Sequence, residues 1–129
     1  MKTNTIFILV FVVILALLGF LLYRSTRTNT VSGQEMIPFA QCLASKNVTM
    51  YGAYWCQHCK NDKAKFGDAF KYVPYVECTQ DVKKCTDAGV QGYPTWIVNG
   101  KKLEGEQGVD GFATLASASS CSLPQPTTK

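Results

Sequence analysis

Residues 48–60 read VTMYGAYWCQHCK, and this stretch decides the fold that the sequence predicts. Residues 48–55 are rich in β-branched and aromatic side chains, which is typical of a buried strand. Residues 61–72 follow with apolar side chains on one face and Lys and Asp opposite, the pattern of an amphipathic helix. The Cys-x-x-Cys formed by Cys56 and Cys59 therefore lies where a strand gives way to a helix.

This placement of the two cysteines predicts redox chemistry. The unpaired N–H groups and the positive dipole end of a helix N-terminus stabilise a thiolate. We expect Cys56 to be the exposed nucleophile and Cys59, one turn further, to be the resolving thiol that ends a mixed disulfide. His58, as imidazolium, would favour the Cys56 thiolate and make the disulfide more oxidising, although a plain solvated helix residue remains the alternative. The predicted catalytic residues are Cys56, Cys59 and His58.

Two alternatives to a redox pair remain open, a metal-binding thiol module and a static disulfide. Zinc needs four ligands, commonly in two closely spaced pairs. The next candidates, Cys78 and Cys85, have six residues between them, so no second short pair exists. We therefore expect no metal, and no cofactor either.

Helical and strand patterns alternate along the rest of the chain. The further predicted helices cover 35–45, 81–88 and 112–118, and the further predicted strands cover 72–78, 95–98 and 101–104. Asn99-Gly100 favours a type I′ turn between the last two strands, because both central residues of that turn need positive φ. Asp110 is the expected N-cap of the last helix. The alternation predicts an α/β fold in which helices cover both faces of a mixed four-stranded sheet.

The N-terminus carries the hydrophobic run IFILVFVVILALLGFLL at residues 6–22, from Ile6 to Leu22. As a helix it would be about 26 Å long, close to the hydrocarbon thickness of a bilayer. It is longer than a usual signal-peptide core, and no small-x-small site follows promptly. We expect one transmembrane helix. The predicted organisation is an anchor over 1–23, a polar tether over 24–34, a folded domain over 35–121 and a disordered tail over 122–129.

Charge and cysteine content bear on partners and location. The net charge of the 129-residue chain is +4, but Lys side chains after the tether are interleaved with acids such as Asp62 and Asp68, as on a solvated helix face. We therefore expect no nucleic-acid partner. Basic residues nearly balance across the hydrophobic run. Six cysteines fit an oxidising compartment, which favours a single-pass cell-membrane protein with an extracytoplasmic domain.

Several motifs, in order and spacing, resemble the thioredoxin superfamily. They are MYGAYWCQHC at 50–59, VPYVEC at 73–78 and YPTW at 93–96. The likeness is greatest to the thioredoxin-like domain attached to bacterial and plant vitamin K epoxide reductase homologues. It runs over about residues 39–112 and implies a thioredoxin-like fold.

The resemblance also implies how substrates and partners are bound. It places Pro94 after a cis peptide bond, opposite the cysteine pair. The implied substrate-binding residues are Trp55, Tyr93, Pro94 and Thr95. Relatives pass disulfides between protein thiol substrates and a quinone-linked membrane oxidoreductase. Because this chain has one hydrophobic run, such a partner would be a separate polypeptide.

The other four cysteines are candidates for structural disulfides. Cys78 and Cys85 resemble an additional pair in the relatives, which implies a disulfide that acts as a staple or as a second redox relay. Cys42 and Cys121 then remain. They could pair, but the fold could also place their helices on opposite faces, and geometry decides such a pairing.

Ordinary thioredoxins differ from this chain at one position before the active site. They carry a buried acid six residues ahead of the first cysteine, where this chain has Met50. Proton transfer to and from Cys59 then needs water or another group, for which Glu77 is the candidate.

Together these observations predict a membrane-anchored thiol–disulfide oxidoreductase that forms or transfers disulfides in extracytoplasmic proteins. A thioredoxin-like reductase or isomerase is the alternative within the same chemistry, because the direction of electron flow depends on reduction potential and partner.

Overall fold

The structure, a computed structural model, describes residues 2–25 and 33–125. The chain divides into two compact units, Met1–Thr30 and Val31–Lys129. Helix α1, Lys2–Ser25, forms the described part of the first unit. Within the described residues, no helix has the length and apolar character needed to cross a bilayer. The transmembrane anchor is thus not confirmed and stays a prediction, and residues 26–32 of the predicted tether lie outside the described residues.

The second unit is built around a four-stranded sheet. Its described helices are α2 (Ile37–Ser45), α3 (Gln57–Phe66), α4 (Val82–Asp87) and α5 (Ala113–Ser119), and its described strands are β1 (Thr49–Gly52), β2 (Tyr75–Glu77), β3 (Thr95–Val98) and β4 (Lys101–Glu104). The strand order is β2-β1-β3-β4. β1 is parallel to β2 and antiparallel to β3, and β4 is antiparallel to β3. The predicted mixed sheet of a thioredoxin-like α/β fold is confirmed.

The two faces of the sheet bury separate apolar clusters, because successive side chains of a strand point to opposite faces. Met50 lies in the larger cluster, to which α2, α3 and α5 also contribute. Its neighbour Tyr51 packs against the smaller cluster, which includes Cys85 of α4. Helices therefore cover both faces of the sheet, as predicted.

Helix α3 begins and ends earlier than the predicted range 61–72. It begins at Gln57 because Cys56 is its N-cap and the Cys56 side chain accepts a hydrogen bond from the backbone of Cys59. It ends before Gly67, whose φ of 53° interrupts the helical backbone. Residues Gly67–Tyr72 continue as a 3₁₀ helix, which the sequence did not predict.

The first two strands are shorter than predicted, whereas the last two match. β1 stops at Gly52 because the chain turns into α3, with Cys56 N–H donating to the carbonyl of Ala53 at 3.0 Å. The turn between β3 and β4 has the predicted positive φ at both Asn99 (50°) and Gly100 (78°). The Asn99-Gly100 turn therefore predicted the bounds of β3 and β4 accurately, whereas residue composition overestimated the lengths of β1 and β2.

The N-cap of α5 is Phe112 and not the predicted Asp110, although the Asp110 carboxylate still stabilises the start of the helix. Asp110 accepts hydrogen bonds from the backbone of Ala113 at 3.1 Å and of Thr114 at 3.0 Å. α5 begins one residue later than predicted, after a 3₁₀ turn, Gln107–Asp110, that was not predicted. Residues 122–125 have no regular structure, and residues 126–129 of the predicted tail lie outside the described residues.

Two disulfides staple the domain. Cys78 joins Cys85, linking the end of β2 to α4. Cys42 joins Cys121 with a Cα–Cα distance of 5.9 Å. The expectation that their helices could lie on opposite faces is wrong, because α2 and the end of α5 contribute to the same apolar cluster.

We predict that the two disulfides stabilise the domain unequally. The sequence separation is 79 for Cys42–Cys121 and 7 for Cys78–Cys85. In the chain-entropy model the longer loop contributes about 2 kcal/mol more to the free energy of unfolding. Replacing each pair by alanines and measuring non-reducing chemical denaturation checks this. An equal or greater loss on removing Cys78–Cys85 would contradict it.

Candidate active site

The two free thiols stand at the start of α3. Cys56 has an extended backbone as the N-cap residue, and Cys59 N–H donates to Cys56 Sγ at 3.2 Å. Neither is as exposed as the sequence indicated for the nucleophile, since Cys56 is 6% and Cys59 0% exposed. Cys56 nevertheless lines an open cleft, which Cys59 does not. Only Cys56 is therefore placed to meet a substrate sulfur first.

The cleft beside Cys56 has a volume of about 570 Å³ and is formed by two segments, residues 55–58 and residues 90–93. Trp55, 59% exposed, packs edge-on against Tyr93 with ring centroids 5.9 Å apart. Two of the predicted substrate-binding residues, Trp55 and Tyr93, thus line the cleft. Val90, Gln91 and Gly92 also line it and were not predicted.

The other two predicted substrate-binding residues lie behind the cleft. The Tyr93–Pro94 peptide bond is cis, as the resemblance implied, and Pro94 is fully buried. Thr95 is 0% exposed, and its hydroxyl donates to the carbonyl of Gly92 at 2.8 Å. The Thr95 side chain therefore supports the wall of the cleft and does not face a substrate.

The loop before Pro94 contacts the nucleophile directly. The Cys56 thiol donates to the carbonyl oxygen of Tyr93, with an Sγ–O distance of 3.6 Å. This contact spans 37 positions of sequence and links the two segments that form the cleft.

Cys59 is enclosed by the sheet. Desolvation by burial, assisted by its hydrogen bond with Cys56, raises the pKa of Cys59 to about 12. A Cβ atom at Gly52 would lie 3.0 Å from Cys59 Sγ and 3.2 Å from the Tyr75 hydroxyl. The glycine at position 52 therefore lets both side chains reach the same point of β1, a requirement that the sequence pattern did not show.

Glu77 is poorly suited to the predicted exchange of a proton with Cys59. Its carboxylate accepts hydrogen bonds from the Tyr54 N–H at 3.2 Å, and from the Thr79 and Tyr75 hydroxyls at 2.7 Å each. Burial opposes ionisation, but the bonds from Thr79 and Tyr75 lower the pKa of Glu77 overall. A carboxylate of lowered pKa is a weak base for a thiol of raised pKa. Met50, at the position of the missing acid, is fully buried.

His58 is held by a partner that the sequence did not indicate. Its Nδ1 lies 2.8 Å from Glu106 Oε2, although His58 itself is 69% exposed. Asn61 donates to the same carboxylate oxygen at 3.0 Å. Hydrogen bonds from Asn61 and His58 lower the pKa of Glu106, so its carboxylate stays ionised.

Asp62 was predicted to lie on a solvated helix face, but it is 0% exposed. It accepts hydrogen bonds from Trp96 Nε1 at 2.9 Å, Gly108 N–H at 2.7 Å and Gln107 N–H at 3.2 Å. Burial is the largest influence and raises the pKa of Asp62. Its partners come from β3 and from the segment after β4, so a pattern local to α3 could not reveal them.

The described residues contain no evident metal-binding site. Across residues 2–25 and 33–125, no group of three His, Cys, Asp or Glu side chains is arranged to hold a metal ion. The arrangement can perform thiol–disulfide exchange, since Cys56 faces a cleft and Cys59 lies one helical turn further along α3.

We predict that resolution of a mixed disulfide by Cys59 accelerates steeply with pH. Cys59 attacks as thiolate, and burial raises its pKa, so the thiolate fraction should grow about tenfold per pH unit over the range tested. Acid-quenched single turnovers with a disulfide peptide, from about pH 6 to about pH 9, measure this rate. A resolution rate that levels off near neutral pH would contradict a Cys59 pKa that is raised by burial.

Comparison with known proteins places this site in context. No protein-family model matches the chain. The chain is 40% identical over 112 residues to "Thiol-disulfide oxidoreductase LTO1" of Arabidopsis thaliana, covering 80% of this chain and 29% of that protein. It is 33% identical over 88 residues to "Thioredoxin domain-containing protein 5 homolog" of Drosophila melanogaster, covering 60% and 21%. It is 35% identical over 75 residues to "Protein disulfide isomerase-like 2-2" of Oryza sativa subsp. japonica, covering 47% and 20%.

A solved structure, the thioredoxin of Fasciola hepatica, matches 55% of this chain and 78% of its own length at 22% identity and a TM-score of 0.41. The chain spans less than a third of the length of the curated relatives named above. Their names support the enzyme class predicted here, that of a thiol–disulfide oxidoreductase. A special closeness to domains of vitamin K epoxide reductase homologues is not shown. These relatives support the predicted likeness of the chain to the thioredoxin-like superfamily.

Proposed function

We propose that this chain is a protein thiol–disulfide oxidoreductase that works through Cys56 and Cys59. One pair of thiols carries the proposal. Cys56 lies at the N-cap of α3 and at the edge of the cleft, and Cys59 is buried one helical turn further along. At this N-cap, the 3.2 Å hydrogen bond from the Cys59 N–H to Cys56 Sγ holds the second cysteine next to the first.

The proposed direction is donation of a disulfide. A substrate thiolate attacks Sγ of Cys56 in the oxidised pair, the Cys56–Cys59 bond breaks, and Cys59 leaves with the electron pair and takes up a proton. A second substrate thiolate then attacks the substrate sulfur of the mixed disulfide and displaces the Cys56 thiolate. The substrate gains one disulfide, and the enzyme holds the two electrons as a reduced pair.

Two features support donation over reduction. The position of the buried acid in thioredoxins is taken by Met50, so Cys59 has no adjacent carboxylate there to assist fast reductive turnover. The domain also carries two further disulfides, which persist in oxidising compartments. A reductase or isomerase of the same chemistry is the second candidate, and the reduction potential separates the two.

We also propose that the chain is anchored in the cell membrane with its domain on the extracytoplasmic side. The support is the unbroken apolar run of the sequence at residues 6–22, together with the two disulfides. A separate quinone-linked membrane oxidoreductase would then reoxidise the Cys56–Cys59 pair. Protein thiols are the proposed substrates.

We predict that Cys59→Ser traps substrates on Cys56. Without the second thiol, a mixed disulfide at Cys56 cannot be resolved from within the protein. Non-reducing gels of cells that express this variant should show covalent complexes that disappear on reduction. Cys56→Ser, in which the buried Cys59 alone remains, is the matched control and should trap far fewer. A Cys59→Ser variant that forms no complexes would count strongly against the proposal.

We predict that the full chain partitions with membranes and that a variant without residues 1–25 does not. Burial of about 17 apolar residues in lipid should resist extraction by alkaline carbonate. Fractionation of cells followed by carbonate washing measures this, and protease added outside the membrane should cut the domain. Full-length protein in the soluble fraction would contradict the proposed membrane anchor but not the proposed redox function.

A further inference from the structure

The two residues between the cysteines are held by one polar network. Gln57 Nε2 donates to Asn61 Oδ1 at 2.9 Å, and Asn61 Nδ2 donates to Glu106 Oε2 at 3.0 Å. His58 Nδ1 lies 2.8 Å from the same Glu106 oxygen. Glu106 therefore contacts His58 directly and reaches Gln57 through Asn61, although it lies 48 positions after His58.

The Glu106 carboxylate is held firmly in place. Its side chain is only 12% exposed. The next two residues, Gln107 and Gly108, donate their N–H groups to buried Asp62, and the ammonium of Lys65 donates to the carbonyl of Gly108. Helix α3 thus binds the segment that carries Glu106 one turn away from the cysteine pair.

The charges of this network bear on the nucleophile. Hydrogen bonds from Asn61 and His58, with the charge of Lys65 in support, lower the pKa of Glu106, so it is ionised at neutral pH. An ionised carboxylate only accepts hydrogen bonds, so Nδ1 of His58 carries a hydrogen. When His58 is an imidazolium, Glu106 offsets its positive charge at the cleft that His58 and Cys56 both line.

We propose that Glu106 is a positioning residue that makes the Cys56–Cys59 disulfide a milder oxidant by holding and neutralising His58. The inference rests on the proposed function. Reduction of the pair takes two electrons and one proton from a substrate dithiol and yields the Cys56 thiolate and the Cys59 thiol. The second proton of the substrate goes to solvent, and the substrate sulfurs form a disulfide.

The reason for this direction is electrostatic. A cation beside Cys56 stabilises the thiolate product, which makes the disulfide more oxidising. A carboxylate paired with that cation removes much of the stabilisation. Besides Glu106, the charged groups in this network are Lys65, which acts on Glu106, and Asp62, which binds the segment from the α3 side. Neither touches His58 in the contacts described above.

The test is Glu106→Gln in the full chain. Glutamine keeps an oxygen for His58 but loses the charge. Titration against glutathione at about pH 6 should show an equilibrium constant about two- to fivefold more oxidising than wild type, the range for one partly exposed ion pair. The size of the shift should depend on pH, because Glu106 can offset a positive charge only while His58 is an imidazolium.

Two further variants separate the proposed role from general effects. Glu104→Gln removes an exposed acid two residues away and should leave the potential unchanged. In a His58→Gln background, the pH-dependent part of the Glu106→Gln shift should vanish. Equal potentials for wild type and Glu106→Gln at about pH 6, or the same pH dependence without His58, would overturn the inference. Failure of wild type to form any reversible Cys56–Cys59 disulfide would instead overturn the proposed function, and this inference with it.

Discussion

The hydrogen bond from Cys59 N–H to Cys56 Sγ is the contact on which the site depends. A helix begins only where its first N–H groups find acceptors, and here a thiol takes the place that Ser, Thr, Asn or Asp usually fills. β1 must therefore stop at Gly52, and the chain must turn at Ala53 before α3 can start. The same bond draws the second cysteine beneath the first, so one interaction defines both the helix boundary and the geometry for disulfide exchange.

The two sulfurs differ because their surroundings differ. Cys56 has the cleft on one side and the Tyr93 carbonyl opposite. Cys59 faces the sheet, where Gly52 leaves room for its sulfur and for the Tyr75 hydroxyl. Burial makes Cys59 costly to ionise, so its chemistry depends on Cys56 having reacted first. The polar side chains in the network around His58 are not part of this pair. The charge near Cys56 can therefore change without altering the packing around Cys59.

Features that depend on neighbouring residues could be predicted from the sequence, and features that depend on distant ones could not. The Asn99-Gly100 hairpin and the Cys56–Cys59 motif each lie within a few residues, so turn chemistry and spacing revealed them. Asp62 is buried by partners up to 46 positions away, and Glu106 meets His58 across 48. A helix pattern with alternating Lys and Asp is normally solvated, and only the packing of the segment after β4 makes Asp62 an exception. The early start of α3 was missed because cysteine is not a usual cap.

The central claim is that Cys56 and Cys59 form a reversible redox pair that donates disulfides. The reduction potential of this pair, measured by equilibration with glutathione and mass-spectrometric counting of free thiols, tests it most directly. We predict a reversible two-electron transition confined to Cys56 and Cys59, at a potential well above about −270 mV. A potential near or below about −270 mV would contradict the donor role, and the absence of a reversible transition would contradict the redox function itself.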